Sequence, residues 1–388
     1  MHRHGSRAKV FFAVTLLLMA LGSTSAMAEL VTFPEEFAKG LDGGVLLDSQ
    51  KNLAGAQSVG ETILIADAKA ATPTGASPSS EKKSGFPETT FDLGLSLGRR
   101  VDNLDWNIAG SASGTSPNIL SELTWDNLKI YQVKADAKII MGRLLYLRGS
   151  FAYGTIFDGQ NQDSDYAGDN RTLEWSRSNN SADEGNVLDG SLGIGYQARF
   201  ASEKFRVAGL VGYSYHEQNL TMTKGVQTVK DVANAALIGI DATGLPEEGD
   251  PLTGLNNRYD TEWKGPWLGV DLSYRPSEKW IFLGTFEYHW ADFYADATWN
   301  LRTSGPWALA QPKSFEHEAD GNGIIASVGC DYTLADYISV NLILDYKDWA
   351  TDPGIDRTFF ASGSIGETRL NEVNWDSKSI MLGFTFHF

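Results

Sequence analysis

The chain has 388 residues, with 40 glycines, a single cysteine and 49 acidic against 32 basic side chains, a formal charge of −17. Nothing in that balance would neutralise phosphates, so a nucleic-acid binder is excluded. One cysteine excludes an internal disulfide framework and any cysteine-clustered metal site. Beyond the N-terminus, no run reaches the ~18 consecutive apolar residues of a membrane-spanning helix.

Residues 1–28 read as an export signal. Arg3, Arg7 and Lys9 form a basic start, Val10 to Leu21 is apolar, and Ala26-Met27-Ala28 supplies a small-residue cleavage site. Removing the segment takes three bases and no acids, so the mature charge is −17 − 3 = −20. Residues 29–90 follow as a periplasmic extension. Within them, 70–85 is rich in Pro, Ser, Thr, Gly and Lys and reads as a flexible linker.

From Phe91 onward the apolar residues recur with period two, the strand signature. Strands are expected near 91–102, 119–137, 144–157, 187–199, 205–218, 258–274, 280–300, 315–332, 337–349 and 372–388. The last is the most regular: Ile380, Leu382, Phe384, Phe386 and Phe388 alternate with Ser379, Met381, Gly383, Thr385 and His387. Long and short connections alternate without exception, as in a membrane barrel with tight turns at one end and long loops at the other. The expected fold is therefore all-β, a ten-stranded antiparallel transmembrane β-barrel over 91–388 in the outer membrane of a Gram-negative bacterium. The even strand count puts both termini in the periplasm. Eleven Trp, fourteen Tyr and nineteen Phe suffice for two aromatic girdles. A span needs only about 9–11 tilted residues, so the wall is expected to continue above the outer leaflet and to carry the site there. On strand 280–300, Phe282, Gly284, Phe286 and Tyr288 are expected to face lipid, and Glu287 and His289 to face inward within a hydrogen-bonded network.

At this point the sequence resembles the omptins, ten-stranded outer-membrane proteases. Ser121-Glu122-Leu123-Thr124-Trp125 is similar to the omptin Ser-Gln-Leu-Asp-Trp. Asp163-Ser164-Asp165-Tyr166 is similar to Asp-x-Asp-Trp. Trp263-Lys264-Gly265-Pro266-Trp267-Leu268-Gly269 is similar to Phe-Lys-Met-Pro-Tyr-Ile-Gly, and Gly284-Thr285-Phe286-Glu287-Tyr288 to Gly-Thr-Phe-Lys-Tyr. The resemblance covers roughly 91–388. It implies a water held between an Asp–Asp pair and an Asp–His pair, with the histidine as base. Asp163 and Asp165 match the first pair. For the second, Asp296 can stand in for the aspartate, but no histidine follows it; His317, near the rim, is the candidate replacement. The resemblance also implies lipopolysaccharide on the outer wall. Tyr215 and Glu217 keep two positions of the Tyr-x-Glu-x-Arg motif, Asn219 replaces its arginine, and Lys264 can offer one phosphate contact.

Asp158, Asp163, Asp165 and Asp169 lack the glycine and terminal glutamate of an EF-hand, so no metal site and no cofactor are expected. Asp158, Asp163, Asp165, Asp169, Asp183, Glu184, Asp292, Asp296, Glu316, Glu318 and Asp320 are expected around one mouth, with Arg171 and Arg177 as the main bases. Such a mouth would attract cationic peptides or ions. A monomer is expected, with outer-membrane lipid around it and no nucleic-acid partner. Two classes of function stay open. One is an omptin-type endopeptidase cleaving at basic residues. The other is a non-catalytic barrel, whether cation-binding, structural, adhesive or a narrow channel, and the missing second pair favours it.

Overall fold

The computed structural model describes residues 89–201, 203–305 and 307–388. The export signal and nearly all of the extension expected at 29–90 lie outside the described residues. The strands are β1 (Thr89–Ile108), β2 (Ser121–Met141), β3 (Leu145–Gly168), β4 (Thr172–Ser181), β5 (Gly185–Phe200), β6 (Phe205–Lys230), β7 (Asn256–Tyr274), β8 (Trp280–Thr298), β9 (Phe315–Ala335), β10 (Ile338–Thr351), β11 (Gly354–Phe359) and β12 (Ile365–His387). A short helix, α1 (Val232–Ala236), follows β6. All pairings are antiparallel, and β1 pairs β12, so the sheet closes on itself. Among the described residues no helix is long and apolar enough to cross a membrane.

Twelve strands make ten staves. Both β4 and β5 pair with β3 and β6, and both β10 and β11 pair with β9 and β12. Each pair is therefore one stave interrupted once, at 182–184 and at 352–353. Numbered around the ring, β1 is the first stave, β4–β5 the fourth, β6 the fifth, β7 the sixth, β10–β11 the ninth and β12 the tenth. The ten strands and their order match the sequence reading. The stretches read as long loops at 158–186 and 350–371 do not, because they are mostly strand. They were hidden by a row of irregularities that reverses which residues face inward. The register shifts between Asp102 and Leu104 in β1, and between Asp126 and Ile130 in β2 opposite Ile156 and Asp158 of β3. Asn127 takes a left-handed φ of 53° at this step. At the same height Gly185 restarts the fourth stave at φ 125°, where a Cβ would sit 2.1 Å from the Asn219 carbonyl oxygen, so only glycine fits.

These irregularities divide the barrel in two. Toward the short turns, the outer face is an apolar belt: Leu192, Ile194, Val211, Leu268, Phe286, Val328, Leu342, Ile380 and Leu382 all stand exposed. Aromatics bound it, with Tyr196, Tyr274, Trp280 and Tyr337 on the turn side and Tyr213, Tyr288 and Trp290 on the loop side. Trp280 to Trp290 covers roughly 33 Å of strand, or roughly 25 Å once tilted by about 40°, the height of a hydrocarbon band. Phe286 and Tyr288 face out and Glu287 and His289 face in, as the alternation predicts. Toward the long connections, β2, β3, β6 and β9 run on with 21 to 26 residues each and enclose a packed interior.

The lumen is filled throughout. Lys134 meets Asp345, Arg148 meets Glu287, and His289 bonds Glu287 and Ser214. Above them Asp189 of β5 takes Arg100 of β1 at 2.6 Å and Lys347 of β10 at 2.7 Å. The fourth and ninth staves are diametrically opposite, so this bond spans the whole lumen. Higher still, an apolar core contains Trp125, Trp263, Trp349 and Trp375, none more than 1% exposed. Each buries about 150–250 Å², so this layer supplies much of the hydrophobic stabilisation. Trp106 on the first stave and Tyr259 on the sixth, again opposite, bring their rings to 5.8 Å.

Candidate functional site

The bulge at Phe157 and Asp158 sets the inner face of upper β3 to odd numbers. Asn161, Asp163 and Asp165 then point inward and stand opposite Asn180, Ser178 and Ser176 of β4. Period two therefore places Asp163 and Asp165 side by side, as the sequence predicts. Burial pushes the Asp163 carboxyl well up, the Asp165 charge pushes it further, and Arg302 of the 299–314 loop opposes both. Burial raises Asp165 to about 6, held back by hydrogen bonds from Ser121 and Ser176 and by Arg302. The pair can share one proton and can hold a cation once that proton leaves.

The other catalytic candidates do not join this pair. On β8, Ala295 and Ala297 face the core and Asp296 faces outward, paired across strands with Glu316 of β9. His317 pairs with Ala295 and faces inward, only 1% exposed. The structure therefore puts Asp296 and His317 on opposite faces of the wall, because one residue of offset in a strand reverses the side chain. The partner of His317 is a residue the sequence reading missed. Asp356 of β11 places Oδ1 3.2 Å from His317 Nε2, and Tyr259 lies 2.8 Å from Nδ1. Thr368 donates to Asp356 at 2.8 Å. The alternation in Ile355-Asp356-Arg357-Thr358-Phe359 was the available signal, but the stretch read as loop. This Tyr–His–Asp chain lies under Trp106, whose ring meets the His317 ring edge-on at 4.8 Å. A substrate has no way to the imidazole in this arrangement.

The mouth is less acidic than its composition suggests. Arg171 pairs with Glu122, Arg177 with Glu174, Lys224 with Asp183 and Lys129 with Asp158. Lys313 and Arg357 share Glu316, and Arg357 also reaches Glu318. Among the described residues Arg302 is the cation that acts on both Asp163 and Asp165.

The lipid candidates do come together on the outer wall, just beyond the belt. Tyr215 pairs with Lys264, the Tyr215 hydroxyl donates to Glu217 at 2.7 Å, and Lys264 lies 3.4 Å from Glu262. Asp292 stands opposite Lys264 on β8. Three carboxylates around one ammonium give the patch the wrong sign for an anionic lipid, so the lipopolysaccharide reading loses its electrostatic support. Among the described residues no group of three or more His, Cys, Asp or Glu side chains is arranged to hold a metal ion.

A closed ring of antiparallel staves, an apolar belt between aromatic girdles and a polar, bonded lumen define an outer-membrane β-barrel. Within that class the chain belongs to the Protochlamydia outer membrane protein family (Pom), whose profile matches residues 94–388. Among solved structures it is similar to the outer membrane protease OmpT from Escherichia coli, at 14% identity and a TM-score of 0.62, over 80% of this chain and 100% of that one. It also matches the outer membrane protein OprG from Pseudomonas aeruginosa, at 12% identity over 78% and 98% of the two chains, but the TM-score of 0.28 carries no argument. No curated protein matches. The likeness to OmpT is one of fold, so the omptin resemblance does not amount to omptin membership.

Proposed function

We propose that this protein is a closed, non-proteolytic barrel whose loop-end head faces the exterior and takes cationic groups, of peptides or ions, at Asp163 and Asp165. In this reading residues 1–28 are removed on export, 29–90 lie in the periplasm, both termini are periplasmic and the barrel works as a monomer. The observation that carries it is the bonding across the full diameter. The 2.7 Å Lys347–Asp189 contact and the Trp106–Tyr259 contact cross the lumen between opposite staves, which argues against a channel. The same packing covers His317, which argues against the endopeptidase. What remains at the mouth is a half-buried carboxylate pair with a partial counter-charge, suited to binding rather than turnover.

The test combines three measurements on detergent-purified protein. In planar bilayers, no conductance steps are expected. An arginine-containing fluorogenic peptide is expected to stay intact. A Lys/Arg-rich peptide is expected to bind in a salt-sensitive way and to bind about tenfold more weakly to Asp163→Asn/Asp165→Asn. Stepwise conductance, or cleavage abolished by the double substitution, would return the channel or protease reading.

A further inference from the structure

The end of the barrel that carries the short turns has a feature at odds with the acidic chain. Gln197 and Arg199 of β5, Arg206 of β6 and Arg275, just beyond β7, sit at one level of the wall. Arg199 pairs directly with Arg206, and Arg206 with Ser273, two residues before Arg275. The Arg275 amide bonds the Lys204 carbonyl at 2.8 Å, which fixes Arg275 against the β5–β6 turn. The faces follow from the burial pattern. Ala208, Leu210, Tyr146 and Trp267 form a buried apolar cluster inside the lumen. Arg206 lies two residues below Ala208 on the same face, and Gln197 stands opposite Ala208. Arg275 keeps the parity of Asp271, whose carboxylate accepts from Tyr146 inside the lumen at 2.8 Å. Three guanidiniums therefore gather beneath an apolar floor, at the mouth.

Their counter-charge is incomplete. Glu203 lies 3.3 Å from Arg199 and 3.8 Å from the turn residue Arg143. Among the described residues Asp92 also acts on Arg206 but is held by Lys138 and His387, so Arg199, Arg206 and Arg275 set against Glu203 leave 3 − 1 = +2. Two buried donors here are also unsatisfied: Nε of Arg199 and Nε2 of Gln197, and Gln197 is only 5% exposed. A buried N–H without a partner is costly, so a structure that keeps two of them beside clustered cations leaves room for an acceptor.

We propose that this mouth binds a phosphate group. A dianionic oxyanion matches the residual charge, and guanidinium forks match its oxygen geometry in a way that ammonium groups do not. The apolar cluster above closes the site on the lumen side, so the anion enters from the turn end. The proposal is independent of which way the barrel is inserted and of the acidic mouth at the other end. The phosphate can belong to a free ion, which carries up to two charges, or to an anionic phospholipid headgroup at the rim, whose phosphodiester carries one.

The test uses the full chain in detergent, titrated calorimetrically with inorganic phosphate, and the chain in nanodiscs of phosphatidylglycerol or phosphatidylcholine, read by bound-lipid mass spectrometry. Binding of phosphate, or selective retention of phosphatidylglycerol, is expected; the first identifies a soluble anion, the second a headgroup. Arg206→Gln is expected to weaken it about tenfold, and Arg275→Gln, at the exposed turn where folding is least at risk, to do the same. Arg206→Lys, which keeps charge but loses the fork, is expected to fall between. Heat-modifiable migration checks that each variant folds. Absence of binding in both arms, or binding unchanged in Arg206→Gln and Arg275→Gln, would overturn the proposal.

Discussion

Asp189 is the residue on which the lumen depends most. It accepts from Arg100, Lys347 and His216; Asp189→Ala strands the buried Lys347 ammonium, while Arg100 keeps Asp102 at 2.6 Å. A loss of about 3–5 kcal/mol is expected in urea unfolding from detergent, and a larger loss than for Lys347→Met, which leaves Arg100 in place. Asp165 behaves in the opposite sense. Its carboxyl titrates near 6 in the fold, above the usual carboxylate range. Ionisation is thus harder folded than unfolded, and the fold loses stability as pH rises through that value. Asp165→Asn is therefore expected to match wild type near about pH 3.5 and to exceed it by about 1–2 kcal/mol near about pH 7.5, in paired unfolding curves. A gain at both pH values would mean that the carboxyl is not buried as described. Cation binding at the pair should run the other way and strengthen as pH passes 6.

At the scale of elements, the ten staves were legible in the sequence because lipid tolerates one face only. Every belt strand must then alternate, as 280–290 and 379–388 do. Above the belt that constraint ends. Both wall faces are mixed, bulges invert the parity, and β4 and β11 passed for loop. The candidate site was read to the same depth. Asp163 and Asp165 were picked out by the omptin resemblance and placed on one face by period two, whereas Asp356 and the arginine mouth were missed. Pairings between distant strands are set by closure, which a single strand does not record. The break in the fourth stave gives a direct test of this architecture. Gly185→Ala must place a methyl where the Asn219 carbonyl lies, at a backbone angle that disfavours side chains. A loss on the order of 2 kcal/mol is expected, read as a lower heat-modification temperature. Ala substituted at Gly209, where nothing lies within 4 Å of the added carbon, is the matched control and should change little.

For the molecule as a whole, the orientation is open to labelling. In a Cys330→Ala background, Leu237→Cys, beyond α1 and 67% exposed, should react with an impermeant maleimide on intact cells, whereas Ser277→Cys in the β7–β8 turn should react only after lysis. The reverse pattern would invert the barrel. Closure also has a consequence for assembly. Asp189 and Lys347 sit on the fourth and ninth staves, so Lys347 lacks that carboxylate in a partial sheet, whereas Arg100 keeps Asp102 of its own strand. Until the tenth strand meets the first, a growing sheet would present bare charges on the concave side that hydrocarbon does not solvate. A half-built sheet would then enter the bilayer at a cost that the closed ring does not carry. Ring closure and the joining of Lys347 to Asp189 are therefore expected to occur together.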